Sequence, residues 1–523
     1  MARPLTPAEL TAGRPLWLLE VSWLGRVFRW SSELPGGDLL QLTAADGQTI
    51  EYRGGLDIAW ISSFALFDES PAPPVLSIDL YFADLEDVPA RIAEGHDLST
   101  MTATLYRWAV GMSHADRRPI FFGEARDPSY GSADEPVSVS FEAPLYRDGA
   151  VWPDGKLSTD QIAVDADLAD GSPYPVVFGS PGYDLNEASP TSQGAGSPLL
   201  PYDATNRYLL AGIHYGTTPG SLWNASTDSI VTATSDTVAD LQGRRVLRYA
   251  VTHSGSWDSG ASWALAYSGD GYGAGDLLTL CARQSTLRVD LSRLEVVAPY
   301  LNAFKLSGYI DESVQPWDWA LRQVVPLLPV SAYFTDQGVA LRVWNDRATS
   351  ADALASLSTS QGLCRVGPVQ YESGELINEI TVRYAPNLDG DYQREITLTG
   401  REGIGGTLNP YCQASRSRLA ALDAAGPLAG VRAKTVESPL LWDSATALRV
   451  ASWQVRARAN RRRVITYEDT DSKLEWLEEA DHVLVTDPEL HLTEALAMVR
   501  ARRWQGARVL LDLALIDEVG RSG

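Results

Sequence analysis

Polar and apolar residues alternate along INEITVRYAPN, Ile377 to Asn387, with Ile377, Glu379, Thr381 and Arg383 on one side and Asn378, Ile380, Val382 and Tyr384 on the other. A two-residue period is that of a half-buried strand, and Pro386 withholds a backbone donor so that pairing stops. The segment reads as one edge of a β-sheet. The same pattern recurs upstream. Leu16 to Trp30 and Leu40 to Tyr52 read as strands, the second run folded at the hairpin signal Asp46-Gly47. VLSIDLYF (75–82), MTATLYRWAVG (101–111), RPIFFGEARDP (118–128) and VSVSFEAP (137–144) continue the series. Between them LEDVPARIAEG (85–95) predicts the one short helix, with an acidic start, a first-turn proline and a glycine beyond its end. Residues 15–145 thus predict a β-barrel or sandwich with a single helix.

From about 150 to 312 the composition shifts to Gly, Ser, Thr, Asp and Tyr, and YPVVFG, RYLLAGIHY, RVLRYAVTH and DLLTLCAR read as the strands of a loop-rich β module. At Pro316 the period changes. Trp317, Leu321, Val324, Val325 and Leu328 share a helical face, which Pro326 and Pro329 distort or end. A hairpin turning at Asp336-Gln337-Gly338 follows, then DALASLSTSQ as a short helix, the Ile377 strand and YQREITLTG. SPLLWDSATALRVASWQVRARANRRR predicts a helix capped at Asp443 or Ser444, with Ala447, Leu448, Ala451 and Val455 on one face and five arginines near its end, where cations favour the helix dipole. RRRVITY, DHVLVTD and LAMVRARRWQGARVLLDLALID alternate again, with a turn at Gln505-Gly506. The predicted organisation is four modules, 1–150, 151–312, 313–450 and 451–523, and the fold class is mainly β with a few inserted helices.

Composition supports that division. A chain of 523 residues exceeds one core, and 43 Gly and 30 Pro beside 16 Trp and 21 Tyr suit many short strands joined by turns. The formal charge of −24 repels phosphate, which argues against sequence-independent binding of nucleic acid. Cys281, Cys364 and Cys412 are too few and too scattered for a metal knuckle or a disulfide framework, and read as buried thiols. Neither a secretory leader nor a window of about 20 apolar residues is present, so synthesis in the cytoplasm is expected.

Candidate chemistry is sparse. HExxH, GxSxG, GxxxxGK and a helix-opening GxGxxG are absent, and His96, His114, His214, His253, His482 and His491 form no pair at ligand spacing. No catalytic, cofactor-binding or metal-binding residue is expected, and no cofactor. In VDADLADG, Asp165, Asp167 and Asp170 precede a glycine as in an oxygen-rich Ca²⁺ loop, but the spacing is not that of an EF-hand and an acidic turn reads better. SGDGYGAGD (268–276) and REGIGG (401–406) read as hairpin tips, since neither lies between a strand and a convincing helix N-terminus. Trp223, Trp257, Trp263 and Tyr272 are able to stack on sugar rings, but core or subunit-interface roles are commoner for aromatics of β modules.

The order RPIFFGEARDPSYG, QPWDWALRQVV, INEITVRYAPNLDGDYQREI, ESPLLWDSATALRVASWQVR and LEEADHVLVTDPEL resembles the hub proteins of bacteriophage tails, including those of long non-contractile tails and gene transfer agents. The resemblance covers the first module and residues from about 315 onward. It implies tail-tube-like β-barrels at 1–150 and 313–450 and a peripheral module at 151–312. It also implies a homotrimer forming a pseudo-sixfold ring that joins the hexameric tail tube to the tail tip around the DNA-ejection channel. The partners so implied are the tail-tube or distal tail protein ring, the tape-measure protein, and tail fibre or tip proteins, with DNA passing through unread and the protein located in the virion. Many such hubs carry a peptidase or muramidase domain. No segment here has its catalytic residues, so a structural, non-enzymatic role is expected. A carbohydrate-binding adhesin at the tail tip and a polysaccharide-active enzyme are the alternatives; the enzyme would call for a leader and a paired-carboxylate cleft.

Overall fold

The computed structural model describes residues 5–32, 39–63, 75–82, 86–131, 135–142, 149–153, 173, 175–181, 197–203, 208–215, 218–224, 229–231, 233–239, 245–251, 263–268, 271–335, 337–345, 348–371, 377, 379–386, 391–399, 433–458, 462–469, 474–505 and 508–516. These residues are mainly strand. The first described element is helix α1 (Pro7–Ala12), whose Thr6 and Glu9 form a reciprocal capping box. Nine strands follow: Pro15–Trp23 (β1), Arg26–Ser31 (β2), Leu39–Thr43 (β3), Thr49–Arg53 (β4), Ala59–Ser63 (β5), Val75–Leu80 (β6), Thr102–Ala109 (β7), Arg118–Ser129 (β8) and Val137–Glu142 (β9). All but β5 form one sheet, ordered β3-β4-β2-β1-β7-β8-β9-β6. The run Leu16 to Trp30 is itself a hairpin. Leu24 and Gly25 both take positive φ (56° and 70°), the conformation of a tight turn whose twist matches the strands it joins. Helix α2 (Val88–Ala93) lies where its signals put it, capped by Asp87, opened by Pro89 and followed by Gly95 at φ 94°.

β1 is buried on both faces. Trp17, Leu19, Val21 and Trp23 enter the main core, while Leu16 and Leu18 meet Leu42, Tyr52 and Trp108 in a smaller one. β5 leaves the sheet and pairs antiparallel with Leu492–Gln505, Trp60 opposite Trp504 and Ser63 opposite Ala501. That C-terminal sheet runs Ala355–Ser358, His482–Asp487, Leu492–Gln505, Arg508–Leu515, Arg463–Asp469, Leu363–Arg365. Strand pairing therefore crosses sequence positions 150 and 450, and the main core is continuous from Trp17 to Leu515.

Three local expectations are corrected. DLLTLCAR is not a strand but the body of helix α3 (Ala274–Gln284): Leu277, Leu278, Cys281 and Ala282 are buried at spacings of one, four and five, a helical face. A short apolar run fits either period, and what decides here is packing on a second helix, α4 (Leu291–Leu301), capped by Asp290. SGDGYGAGD consequently ends at a helix N-terminus, with Gly273 as the cap, rather than at a hairpin tip. DALASLSTSQ is strand Ala355–Ser358 between two 3₁₀ turns. Serine and threonine oxygens there accept from nearby backbone amides, competing with helix, while Ser356 and Leu357 alternate outward and inward beside the parallel strand His482–Asp487.

α3 and α4 touch at Gly275, where an added Cβ would lie 2.2 Å from the Ala298 carbonyl oxygen. Gly275→Ala is expected to cost about 1–3 kcal/mol by forcing the helices apart. A thermal melt of the variant within error of the parent would contradict that contact.

Helix α5 (Pro316–Gln323) buries Trp317 and Ala320, and Pro326 converts its continuation to a 3₁₀ turn. The hairpin Val330–Thr335 and Gly338–Val343 follows. The opening strand is Glu379–Pro386, with Ile380, Val382 and Tyr384 buried as the alternation requires. It is not an edge, however, but the middle of three strands, antiparallel to Tyr392–Thr399 and parallel to Ala433–Glu437. Its predicted solvent face carries Arg383 between Glu395 and Glu437 (3.5 and 2.9 Å). Helix α6 (Ser444–Arg458) covers the sheet, its first turn capped by Asp443, which accepts from Thr446 N–H at 2.8 Å.

Candidate functional site: a buried ion cluster between the sheets

The segment LEWLEEADH, residues 474–482, links two strands of the C-terminal sheet through consecutive turns, Leu477 N–H to the Leu474 carbonyl and Asp481 N–H to the Glu478 carbonyl (both 3.0 Å). Those turns leave Glu475, Glu478 and Glu479 at 2%, 5% and 2% exposure, which is tolerable for carboxylates only if cations meet them. Three arginines do, each from a different part of the chain. Arg107 of β7 grips Glu475 with Nε and Nη2, the latter at 2.6 Å. Arg502 of strand Leu492–Gln505 reaches both oxygens of Glu479 (2.9 and 3.2 Å) and donates Nη1 to the Glu475 carbonyl (3.1 Å). Arg342 of strand Gly338–Val343 pairs with Glu479, and with Glu478 at 3.8 Å. At the margin, Arg293 of α4 donates to the Tyr333 hydroxyl (2.6 Å) and pairs with Asp290 (3.3 Å).

Aromatic faces complete the enclosure. Arg107 lies over Trp17 (4.3 Å), Arg342 over Tyr333 (4.0 Å) and Arg502 over Trp504 (4.9 Å), so the guanidiniums lose water to ring electrons as well as to carboxylates. Burial pushes Arg342 and Arg502 below the ordinary arginine value, with the nearby glutamates opposing it. Arg293 is also disfavoured by burial, but Tyr333, Glu478 and Asp290 outweigh that and raise it. This set can align and hold four chain segments; it presents no nucleophile.

The sequence candidates lie elsewhere. Asp165, Asp167 and Asp170, REGIGG and Trp257 fall outside the described residues, as does Cys412. Cys281 is buried, but Cys364 is exposed, against the expectation for all three thiols. Trp223 and Trp263 lie on directly paired strands of the nine-stranded sheet of the second module, in register opposite Ala264 and Asn224 respectively. Tyr272 is half-buried, its phenol pushed up by burial and Asp276. His114 is buried in the 3₁₀ turn between β7 and β8, His482 is buried in the C-terminal sheet, and His96 is exposed. Among the described residues no group of three or more His, Cys, Asp or Glu is placed to hold a metal, and no helix is long and apolar enough to cross a membrane. Arginines embedded in apolar strands (LYRWA, ALRVW, VRARRW) were the available signal for the ion cluster.

No protein-family model and no curated protein matches the chain. Among solved structures it aligns with the tail protein of Neisseria meningitidis MC58 at 10% identity and TM-score 0.40, covering 96% of this chain and 97% of that one. It also aligns with the 43 kDa tail protein of prophage MuSo2 from Shewanella oneidensis, at 9% identity, TM-score 0.37 and coverage of 96% and 98%. A third is a chain from the virion of a native gene transfer agent particle, at 11% identity, TM-score 0.38 and coverage of 67% and 85%.

Proposed function

We propose that this chain is a structural component of a phage or phage-like tail: a trimeric hub that joins the hexameric tail tube to the tail tip and surrounds the path of DNA. The sequence resemblance supplies the class. The observation that carries the reading is the junction, where a strand from residues 59–63 completes the C-terminal sheet and Arg107 of the N-terminal sheet is locked to Glu475 inside a continuous core. A ring component between two assemblies has to pass force from one to the other without bending, and a shared sheet and core supply the contacts for that. In the N-terminal sheet β3 and β6 end the strand order, leaving edges that a ring of copies can cover. Two tube-like modules per chain make six positions from three copies. The tube or distal-tail ring, the tape-measure protein and fibre or tip proteins are then its partners.

Mass photometry of gently dissociated tail tips is expected to give trimers, and six copies per tail would overturn the ring. Zymography of the purified chain against host peptidoglycan is expected to leave no cleared band; a cleared band would favour a lytic role. An acidic channel wall lets DNA slide, so inward loops should carry more Asp and Glu than Arg. Within the arginine-rich stretch Arg456 to Arg463, Arg462 is buried over Trp344 (5.0 Å) and Arg458 donates to Gln454 (2.7 Å), engagements that suit a place away from the lumen. A density map of the tip with those arginines lining the lumen would refute the acidic wall.

A further inference from the structure

The β3–β4 hairpin hangs on the N-terminal sheet by a single ladder pair, Trp30 opposite Arg53. In the smaller core, where Leu42 of the same hairpin also packs, Tyr52 is fully buried. The Tyr52 hydroxyl donates to Glu20 Oε1 on β1 (2.7 Å) and lies 2.9 Å from His114 Nε2. On its far side, His114 Nδ1 lies 3.3 Å from Arg117 Nη1, which has only hydrogens to offer. Nδ1 must therefore accept, the ring proton sits on Nε2 and points at the Tyr52 oxygen, and Tyr52 passes its own proton toward Glu20. Glu20 is held in turn by Arg29 of β2 (3.1 Å) and by Arg117 (3.5 Å). Tyr106 of β7 lies beneath the Arg117 guanidinium at 4.5 Å, and Asp116, on the same turn as His114, is exposed. The Tyr52 hydroxyl and the two His114 ring nitrogens are matched donor to acceptor in one protonation state of the ring only.

We propose that Arg117, His114, Tyr52 and Glu20 form a proton-sensitive latch that fastens the β3–β4 hairpin to the sheet, and that protonation of His114 opens it. A second ring proton on Nδ1 would face the Arg117 donor, with Arg29 adding to the repulsion and Glu20 only partly offsetting it. The imidazolium has to turn out, and Tyr52 loses one of its two partners. Burial first, and then Arg117, hold His114 below the ordinary imidazole value. The released form thus takes the proton more readily, so the latch is closed above about pH 6.5 and weakens as pH falls below that.

Hydrogen exchange of the full chain at pH 8 and pH 5.5, expressed as protection factors, tests this. Residues 39–53 are expected to lose protection about tenfold at the lower pH while β7 and β8 keep theirs. His482, the other buried histidine with a depressed value, sits in the C-terminal sheet and would loosen residues there instead. His114→Gln donates to Tyr52 and accepts from Arg117 without titrating, and should hold protection within about twofold at both pH values. Tyr52→Phe keeps the ring but not the latch, and should leave the hairpin weakly protected at both. Unchanged protection in the parent chain, loss spread evenly over the sheet, or a pH response that survives in Tyr52→Phe would each overturn the proposal.

Discussion

Arg107→Met is expected to destabilise the protein by about 3–5 kcal/mol, the cost of stranding a buried carboxylate rather than of losing an attraction. Glu475 is 2% exposed, and Arg502 donates to its backbone carbonyl rather than to its carboxylate. Methionine retains most of the stem that packs on Trp17, so the loss isolates the charge from the volume. The double variant Arg107→Met, Glu475→Leu removes both charges, and is expected to recover more than half of the deficit. Urea denaturation of the parent, the two single variants and the double variant closes the cycle. A single-variant cost below about 1 kcal/mol would mean that water reaches Glu475, and the junction would no longer account for coupling between the sheets.

How much of this was legible in the chain depends on whether the deciding contacts were local. Helix α2 was legible because Asp87, Pro89 and Gly95 are start and stop signals that act within a turn of their own positions. The alternation in Glu379–Pro386 was legible for the same reason. Its place in the sheet was not, because Ala433–Glu437 arrives from about 50 residues away and pairs in parallel, which no turn signal announces. α3 was misread since Leu277, Leu278 and Cys281 satisfy either period until Ala298 of α4 is brought against Gly275. The ion cluster was the least legible feature. LEEAD looks like a solvated turn, and only the fold brings Arg107, Arg342 and Arg502 onto it, Arg107 from 368 residues away.

Trp453→Ala is expected to cost about 3–5 kcal/mol, more than any other single truncation on α6. The helix is enclosed well beyond one stripe: Ala447, Val450, Ala451, Ser452, Trp453, Gln454 and Val455 are all buried, whereas its sequence predicts a single apolar face. Two of these side chains tie α6 to the turn that ends α5. Trp453 Nε1 donates to the Leu327 carbonyl (2.9 Å) and Gln454 Nε2 to the Pro326 carbonyl (3.2 Å). Those carbonyls are exposed to side-chain donors because Pro326 ends regular helix, so the break in α5 and the burial of α6 support each other. Truncation to alanine opens a cavity of indole size and also leaves the Leu327 oxygen unpaired. Trp453→Phe fills most of the volume and loses only the donor, so about 1–3 kcal/mol is expected. Thermal or urea unfolding of the two variants separates packing from hydrogen bonding. If they lose the same amount, the Leu327 hydrogen bond and not the cavity holds α6, and the enclosure of the helix contributes little to stability.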